Sequence, residues 1–173
     1  FMKKNNIILI GFMGCGKTSV GIRLSYRLRK TFLDTDKWIE KKQEKSISEI
    51  FAEEGEAAFR QMEKDCLLEL YEKENNRIIS TGGGLPVQEG NHELLKRLGR
   101  VYYLRVTPET VYERLKEDTT RPLLAGDNPK EKIKKLLEQR KPLYEACADE
   151  IIDADGKTFE EILDEMEEKE NSL

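Results

Sequence analysis

A chain of 173 residues, 38% hydrophobic and 37% charged, is long enough for one domain with a sizeable core. Its net charge of −4 gives no general pull toward nucleic acid, and no apolar run approaches the ~20 residues of a membrane span, so neither is expected as a partner. With Phe1 ahead of Met2 set aside, no signal-peptide cleavage pattern precedes residue 7, and the dispersed Cys15, Cys66 and Cys147 suit reduced thiols; the expectation is a cytoplasmic, single-domain protein over residues 2–173.

Residues 7–10 form an all-apolar run closed by Gly11, as a strand buried on both faces should be. Helical patterning follows over 17–30, then a weaker strand over 31–33 ending in Asp34-Thr35-Asp36. Helices are predicted over 36–53 and 55–72, a strand over 77–80 and the turn Thr81-Gly82-Gly83-Gly84. Beyond it come a helix over 89–98, a strand over 101–104 and a helix over 108–116, which Thr107 caps and Pro108 begins. An irregular stretch over 119–129 is long for a compact domain, which marks it as functional or disordered. The chain closes with a helix over 130–146, a strand over 150–152 and a last helix opened by the capping box Thr158-x-x-Glu161. Its acidic run over 160–170, interleaved with Ile162, Leu163 and Met166, reads as a solvated helix face. Strands alternating with helices predict right-handed crossovers and an α/β fold, a parallel sheet covered on both faces.

The strongest chemical signal is Gly11-Phe12-Met13-Gly14-Cys15-Gly16-Lys17-Thr18, a G-x-x-x-x-G-K-T string between the first strand and the first helix. Such glycines let successive N–H groups curl around phosphates, and the helix N-terminus adds its positive end. Lys17 would reach the β- and γ-phosphates, and the Thr18 hydroxyl would ligate Mg²⁺. A nucleotide and Mg²⁺ are therefore the expected ligands of this loop. Asp34 and Asp36, two residues apart at a strand end, can point into one cleft, toward a metal and toward an acceptor hydroxyl, or can simply cap a helix. Three consecutive glycines at another strand end bring backbone close to a ligand or make a plain loop. Arg60 can serve a ligand or pair with Glu56. Arg121 opens the irregular stretch and is placed to swing over phosphates, and Arg140 lies in Gln139-Arg140-Lys141-Pro142-Leu143-Tyr144.

In order, GxxGxGKT, Asp-Thr-Asp, Phe59-Arg60-x-x-Glu63, Thr-Gly-Gly-Gly, Arg121-Pro122-Leu123-Leu124 and Arg140-x-Pro142-Leu143-Tyr144 span residues 11–144, and the series resembles the shikimate kinase family. The resemblance implies a three-layer αβα P-loop fold of the nucleoside monophosphate kinase type. It would comprise a five-stranded parallel sheet, a substrate-binding helical region over about 34–62 and a lid over about 117–130. It also implies transfer of the γ-phosphoryl of Mg·ATP to the 3-hydroxyl of shikimate by a monomer. Carried over by position, Asp36, Arg60, Gly82, Gly83 and Arg140 would hold shikimate, and Asp34 would act on the metal through water. Gly14, Cys15, Gly16, Lys17, Thr18 and Ser19 would bind ATP, with Arg114 against adenine and Arg121 as the lid arginine. Lys17, Asp36 and Arg121 would be catalytic. Phe51 and Phe59 match aromatic positions near the substrate ring. The adenine-contacting segment near the C-terminus is not evident, because Asp155-Gly156-Lys157 lacks the arginine some members carry.

Two other readings share the phosphate loop. A gluconate or nucleoside monophosphate kinase needs different acceptor contacts. A nucleotide switch with little turnover would leave the acceptor-side residues without purpose, and no Asn-Lys-x-Asp string for guanine is present. His92 reads as a surface or capping residue and Trp38 as partly packed helix. Cys15 is either a small residue tolerated in the loop or an acidified thiol beside Lys17.

Overall fold

The computed structural model describes residues 2–116 and 126–173. Five strands, β1 (Asn6–Ile10), β2 (Phe32–Asp34), β3 (Ile78–Ser80), β4 (Gly99–Arg105) and β5 (Glu150–Asp153), pair in parallel in the order β2-β3-β1-β4-β5. Between and after them run α1 (Lys17–Leu28), α2 (Thr35–Gln43), α3 (Ile47–Lys73), α4 (Asn91–Leu98), α5 (Pro108–Leu115), α6 (Pro129–Cys147) and α7 (Phe159–Asn171). The crossovers leave β1 in opposite directions, so α1 and α7 cover one face of the sheet while α4 and α6 cover the other.

Residues 6–10 are all buried, as a central parallel strand with helices on both faces demands. Asn6, the polar residue among them, is fully engaged: its amide donates to Glu74 O and Leu98 O and its Oδ1 accepts from Arg77 N. The register decides where chemistry can happen. Asp34 of β2 pairs with Ser80 of β3, and Ser80 pairs with Leu9 of β1. The carboxyl ends of three adjacent strands therefore finish in one row, bringing the Asp-Thr-Asp segment, the glycine turn and the phosphate loop side by side.

Where the sequence suggests one helix over 36–53, the structure breaks it: Glu44 adopts a left-handed conformation (φ 55°) and Ser46 opens α3 with a capping box to Glu49. At Gly55, predicted to begin a separate helix, the backbone is non-helical (φ 86°, ψ 172°), so α3 consists of two helical segments that meet there at a kink, as the sequence indicates. Thr107 with Pro108 and Thr158 with Glu161 cap α5 and α7 as their sequences indicate. Among the described residues, no helix is long and apolar enough to cross a membrane. Arg121 and most of the stretch expected as a lid lie outside the described residues.

Candidate active site

The phosphate loop leaves β1 at Gly11 and enters α1 through Gly16, with Gly14 and Gly16 in the left-handed region at φ 78° and 96°. A side chain at either position would strain the turn that points N–H groups toward an anion. Lys17 is buried, and its ammonium donates to Gly11 O at 2.6 Å and Phe12 O at 3.1 Å, which holds it against the backbone of the loop. Thr18 is exposed in the first helical turn, with Ser19 half-buried beside it. Arg114 reaches the loop from α5, donating from Nη1 to Gly14 O at 3.0 Å.

Cys15 is buried, and its N–H donates within the loop to Phe12 O at 3.2 Å. Its sulfur packs under Gly11, where a Cβ would lie 2.9 Å from Sγ. The thiol is buried beside Lys17, whose ammonium donates to Sγ at 3.7 Å. Asp155 is also engaged: its carboxylate accepts from Thr107 N at 3.1 and 3.3 Å, tying the β5–α7 loop to the β4–α5 loop.

On the acceptor side, Asp34 is the N-cap of α2, its Oδ1 accepting from Lys37 N at 3.1 Å. Asp36, two residues on, points elsewhere, toward Gly82. The reason for three consecutive glycines is now visible. A Cβ on Gly82 would stand 2.8 Å from Asp36 Oδ1, one on Gly83 would stand 3.3 Å from Arg140 Nη1, and one on Gly84 would stand 2.7 Å from Arg60 Nη2. One carboxylate and two guanidiniums converge on three residues of backbone, and any side chain there would displace them. Gly82 N donates to the buried Thr35 hydroxyl at 3.1 Å, which locks the turn to α2.

The two arginines are only partly satisfied. Arg60 Nη1 donates to Glu63 Oε1 at 2.7 Å, but Arg60 Nε and Arg140 Nη1 are buried and find no hydrogen-bond partner among the described residues. Leaving a buried charged donor unpaired is costly unless something is meant to meet it. Each guanidinium lies near an aromatic ring, Arg60 over Phe59 at 5.4 Å and Arg140 over Phe12 at 5.5 Å, and Phe59 packs against Phe51 at 4.9 Å. Burial pushes the Asp36 carboxyl above the usual range and the nearby Asp34 charge adds to this, while Lys17 and Arg60 oppose it. On its outer side Arg60 borders a cavity of about 540 Å³ shared with Glu56 and Lys64. A second cavity of about 580 Å³, between β4, β5 and α6, lies apart from these residues, and its Arg105 is already paired with Asp153 at 2.6 Å.

Glu63 appeared in the sequence only as a letter of the Phe-Arg-x-x-Glu string, and the structure gives it weight. Of the two acids one turn from Arg60, exposed Glu56 stands 3.8 Å away and buried Glu63 stands 2.7 Å away. Burial pushes the Glu63 carboxyl up to about 7, against the pull of Arg60. Because the folded value exceeds that of an unfolded glutamate (~4.3), the fold favours the neutral acid. That contribution is complete below about pH 4 and is lost as pH rises through 7. Relative to Glu63→Gln, which does not titrate, the wild type is expected to lose on the order of 3 kcal/mol between pH 4 and 8. Urea unfolding at a series of pH values measures it, and a constant difference between the two proteins would refute it.

The oxygen donors suit a hard divalent cation held mainly by phosphate. Mg²⁺ keeps water and takes one or two protein oxygens beside substrate phosphates. Thr18 offers an exposed hydroxyl at the phosphate loop, and Asp34 retains a second carboxylate oxygen outside its capping bond. Among the described residues, no group of three or more His, Cys, Asp or Glu gathers as a self-sufficient metal cage.

A parallel sheet with a glycine-rich loop between β1 and α1, and an acceptor cleft on the neighbouring strand ends, defines a P-loop nucleotide-binding protein built to hold a second, anionic small molecule. The shikimate kinase family model matches residues 13–170. A shikimate kinase from Thermodesulfovibrio yellowstonii is 45% identical over 161 residues, which cover 93% of this chain and 92% of that protein. Among solved structures, the shikimate kinase from Acinetobacter baumannii in complex with shikimate superposes with a TM-score of 0.90 at 38% identity, covering 99% of this chain and 96% of that one. A deoxyadenosine kinase from M. mycoides with bound dATP, 16% identical with a TM-score of 0.62 over 96% of this chain and 99% of that one, shares the fold. The chain belongs to the shikimate kinase family.

Proposed function

We propose that this protein is an ATP-dependent kinase that transfers the γ-phosphoryl group of Mg·ATP to the 3-hydroxyl of shikimate, giving shikimate 3-phosphate and ADP. The supporting observation is the pairing of two half-buried guanidiniums, each with a buried nitrogen lacking a hydrogen-bond partner among the described residues, with a carboxylate on one glycine turn beside a phosphate loop. Shikimate carries a carboxylate and hydroxyls. Planar guanidinium forks match a carboxylate bidentately, which gives Arg60 and Arg140 the acid end. Asp36 then accepts from the hydroxyls and sets the attacking oxygen toward the γ-phosphate.

Phosphoryl transfer through a loose transition state depends mostly on positioning and on charge placed where charge develops. Lys17 supplies positive charge from the floor of the loop, while Gly14, Cys15, Gly16, Thr18 and Ser19 surround the phosphates. Arg114, fixed to Gly14, borders the nucleotide, and Arg121 acts from the lid over about 117–130. Mg²⁺, held by Thr18 and through water by Asp34, supplies charge neutralisation for the phosphates. The substrate-binding region spans about 34–62 of a single domain, and the protein works as a cytoplasmic monomer.

ADP release from Mg·ATP, alone and with shikimate, gluconate, AMP or CMP added singly, tests this reading. Rapid release is expected with shikimate only. Brisk release with another acceptor would move the substrate assignment to that compound, and binding of ATP without stimulated release would leave a nucleotide-binding module.

A further inference from the structure

We infer that Tyr144 is a positioning residue for the acceptor: its hydroxyl holds the glycine turn in the place where Asp36, Arg60 and Arg140 meet. The inference rests on the reading of this cleft as the shikimate site. Tyr144 and Arg140 stand four residues apart on α6 and so share a face. The Tyr144 ring is buried, and its hydroxyl donates to Gly83 O at 2.6 Å. Burial raises the hydroxyl to about 12, so it remains a donor at any physiological pH.

Gly83 is the junction of the site. A Cβ there would lie 3.3 Å from Arg140 Nη1, 3.6 Å from Met13 N and 3.7 Å from Gly11 O. One hydrogen bond therefore ties the turn to the helix that carries Arg140, at a point next to the phosphate loop. The helix alone does not supply that stiffness. Pro142, between Arg140 and Tyr144, has no N–H to give back to the preceding turn. Tyr103 of β4 backs the Tyr144 ring at 5.1 Å, but its own buried hydroxyl has no hydrogen-bond partner among the described residues. Of the two hydroxyls, only the one on Tyr144 reaches the turn. The turn in turn sets where the arginines and Asp36 stand, so losing the bond should disturb acceptor binding and leave nucleotide binding alone.

Tyr144→Phe keeps the ring and removes the donor. With shikimate as acceptor, its KM is expected to rise about ten-fold while KM for ATP stays near wild type. Tyr103→Phe, which removes the unpartnered hydroxyl from the same ring pair, should leave both KM values unchanged. Calorimetric titration of Tyr144→Phe with shikimate in the absence of ATP should show the same loss in affinity. An unchanged KM for shikimate in Tyr144→Phe, or an equal rise in both KM values, would overturn the inference while leaving an active wild type to uphold the proposed function. A wild type that shikimate does not stimulate would overturn both.

Discussion

Replacing Lys17 with alanine is expected to lower kcat by at least about 10²–10³-fold, the range seen when one preorganised transition-state donor is removed. The ammonium sits buried against the carbonyls of Gly11 and Phe12, so its charge is already desolvated within the loop. Water filling the space left by the side chain restores hydrogen bonds to those carbonyls but not the charge. Lys17→Arg is not expected to rescue, because a planar guanidinium is larger than the pocket that two loop carbonyls enclose around a compact ammonium. Shikimate affinity, which the proposed function assigns to Arg60 and Arg140, should hold in the alanine variant. ADP-release kinetics together with shikimate calorimetry check both halves. A kcat within ten-fold of wild type would remove Lys17 from the chemistry.

The contrast between Lys17 and the arginines shows what a sequence alone can reveal. The phosphate loop is legible because its chemistry is backbone chemistry: Gly14 and Gly16 occupy left-handed conformations that few other residues tolerate, and their spacing is local. The buried strand at residues 6–10 is legible for a similar reason, since an unbroken apolar run admits few other fates. Arg60 and Arg140 are different. By spacing each is indistinguishable from a surface charge, and only the tertiary fold, by placing Gly83 and Gly84 against them, separates them from the other cations. The resemblance to a family supplied those residues where spacing could not.

The roles of Glu63 and Tyr144 are not legible in the sequence for a related reason. Glu56 and Glu63 both lie one helical turn from Arg60, and burial, not spacing, decides that Glu63 holds the close pairing. Tyr144 follows Arg140 by four residues, a spacing that was readable, but its partner is a backbone carbonyl 61 residues away. The break at 44–46 was present in the letters as Ser46-x-x-Glu49, yet the apolar positions Ile39, Ile47 and Ile50 continue across it and mask the stop. Asp34 resolves an ambiguity that the sequence left open. It is a helix cap, and it remains available as a distant metal partner because capping uses one of its two oxygens.

Asp36→Asn is expected to lower kcat with shikimate by about 10²–10⁴-fold, the scale of a positioned acid–base group, and to change the pH dependence of what remains. Its carboxyl is raised by burial and by Asp34 and is held down by Lys17 and Arg60. As pH falls, Asp36 therefore takes up its proton earlier than a surface aspartate would. The wild type should lose kcat on the acid side as the carboxylate is neutralised, and Asp36→Asn, with nothing to protonate there, should lose that limb. Lys17→Ala should do the opposite: with one of the opposing cations gone, the acid limb should move to higher pH. Asparagine still accepts a hydrogen bond from the acceptor hydroxyl through its amide oxygen, so the residual rate separates the two roles of the carboxylate. A loss near the lower bound with a modest rise in KM would mark Asp36 as chiefly orienting the hydroxyl, whereas a loss near the upper bound with KM unchanged would mark it as taking the proton. Retention of near-wild-type kcat and an intact acid limb would show that the carboxylate on the glycine turn does neither.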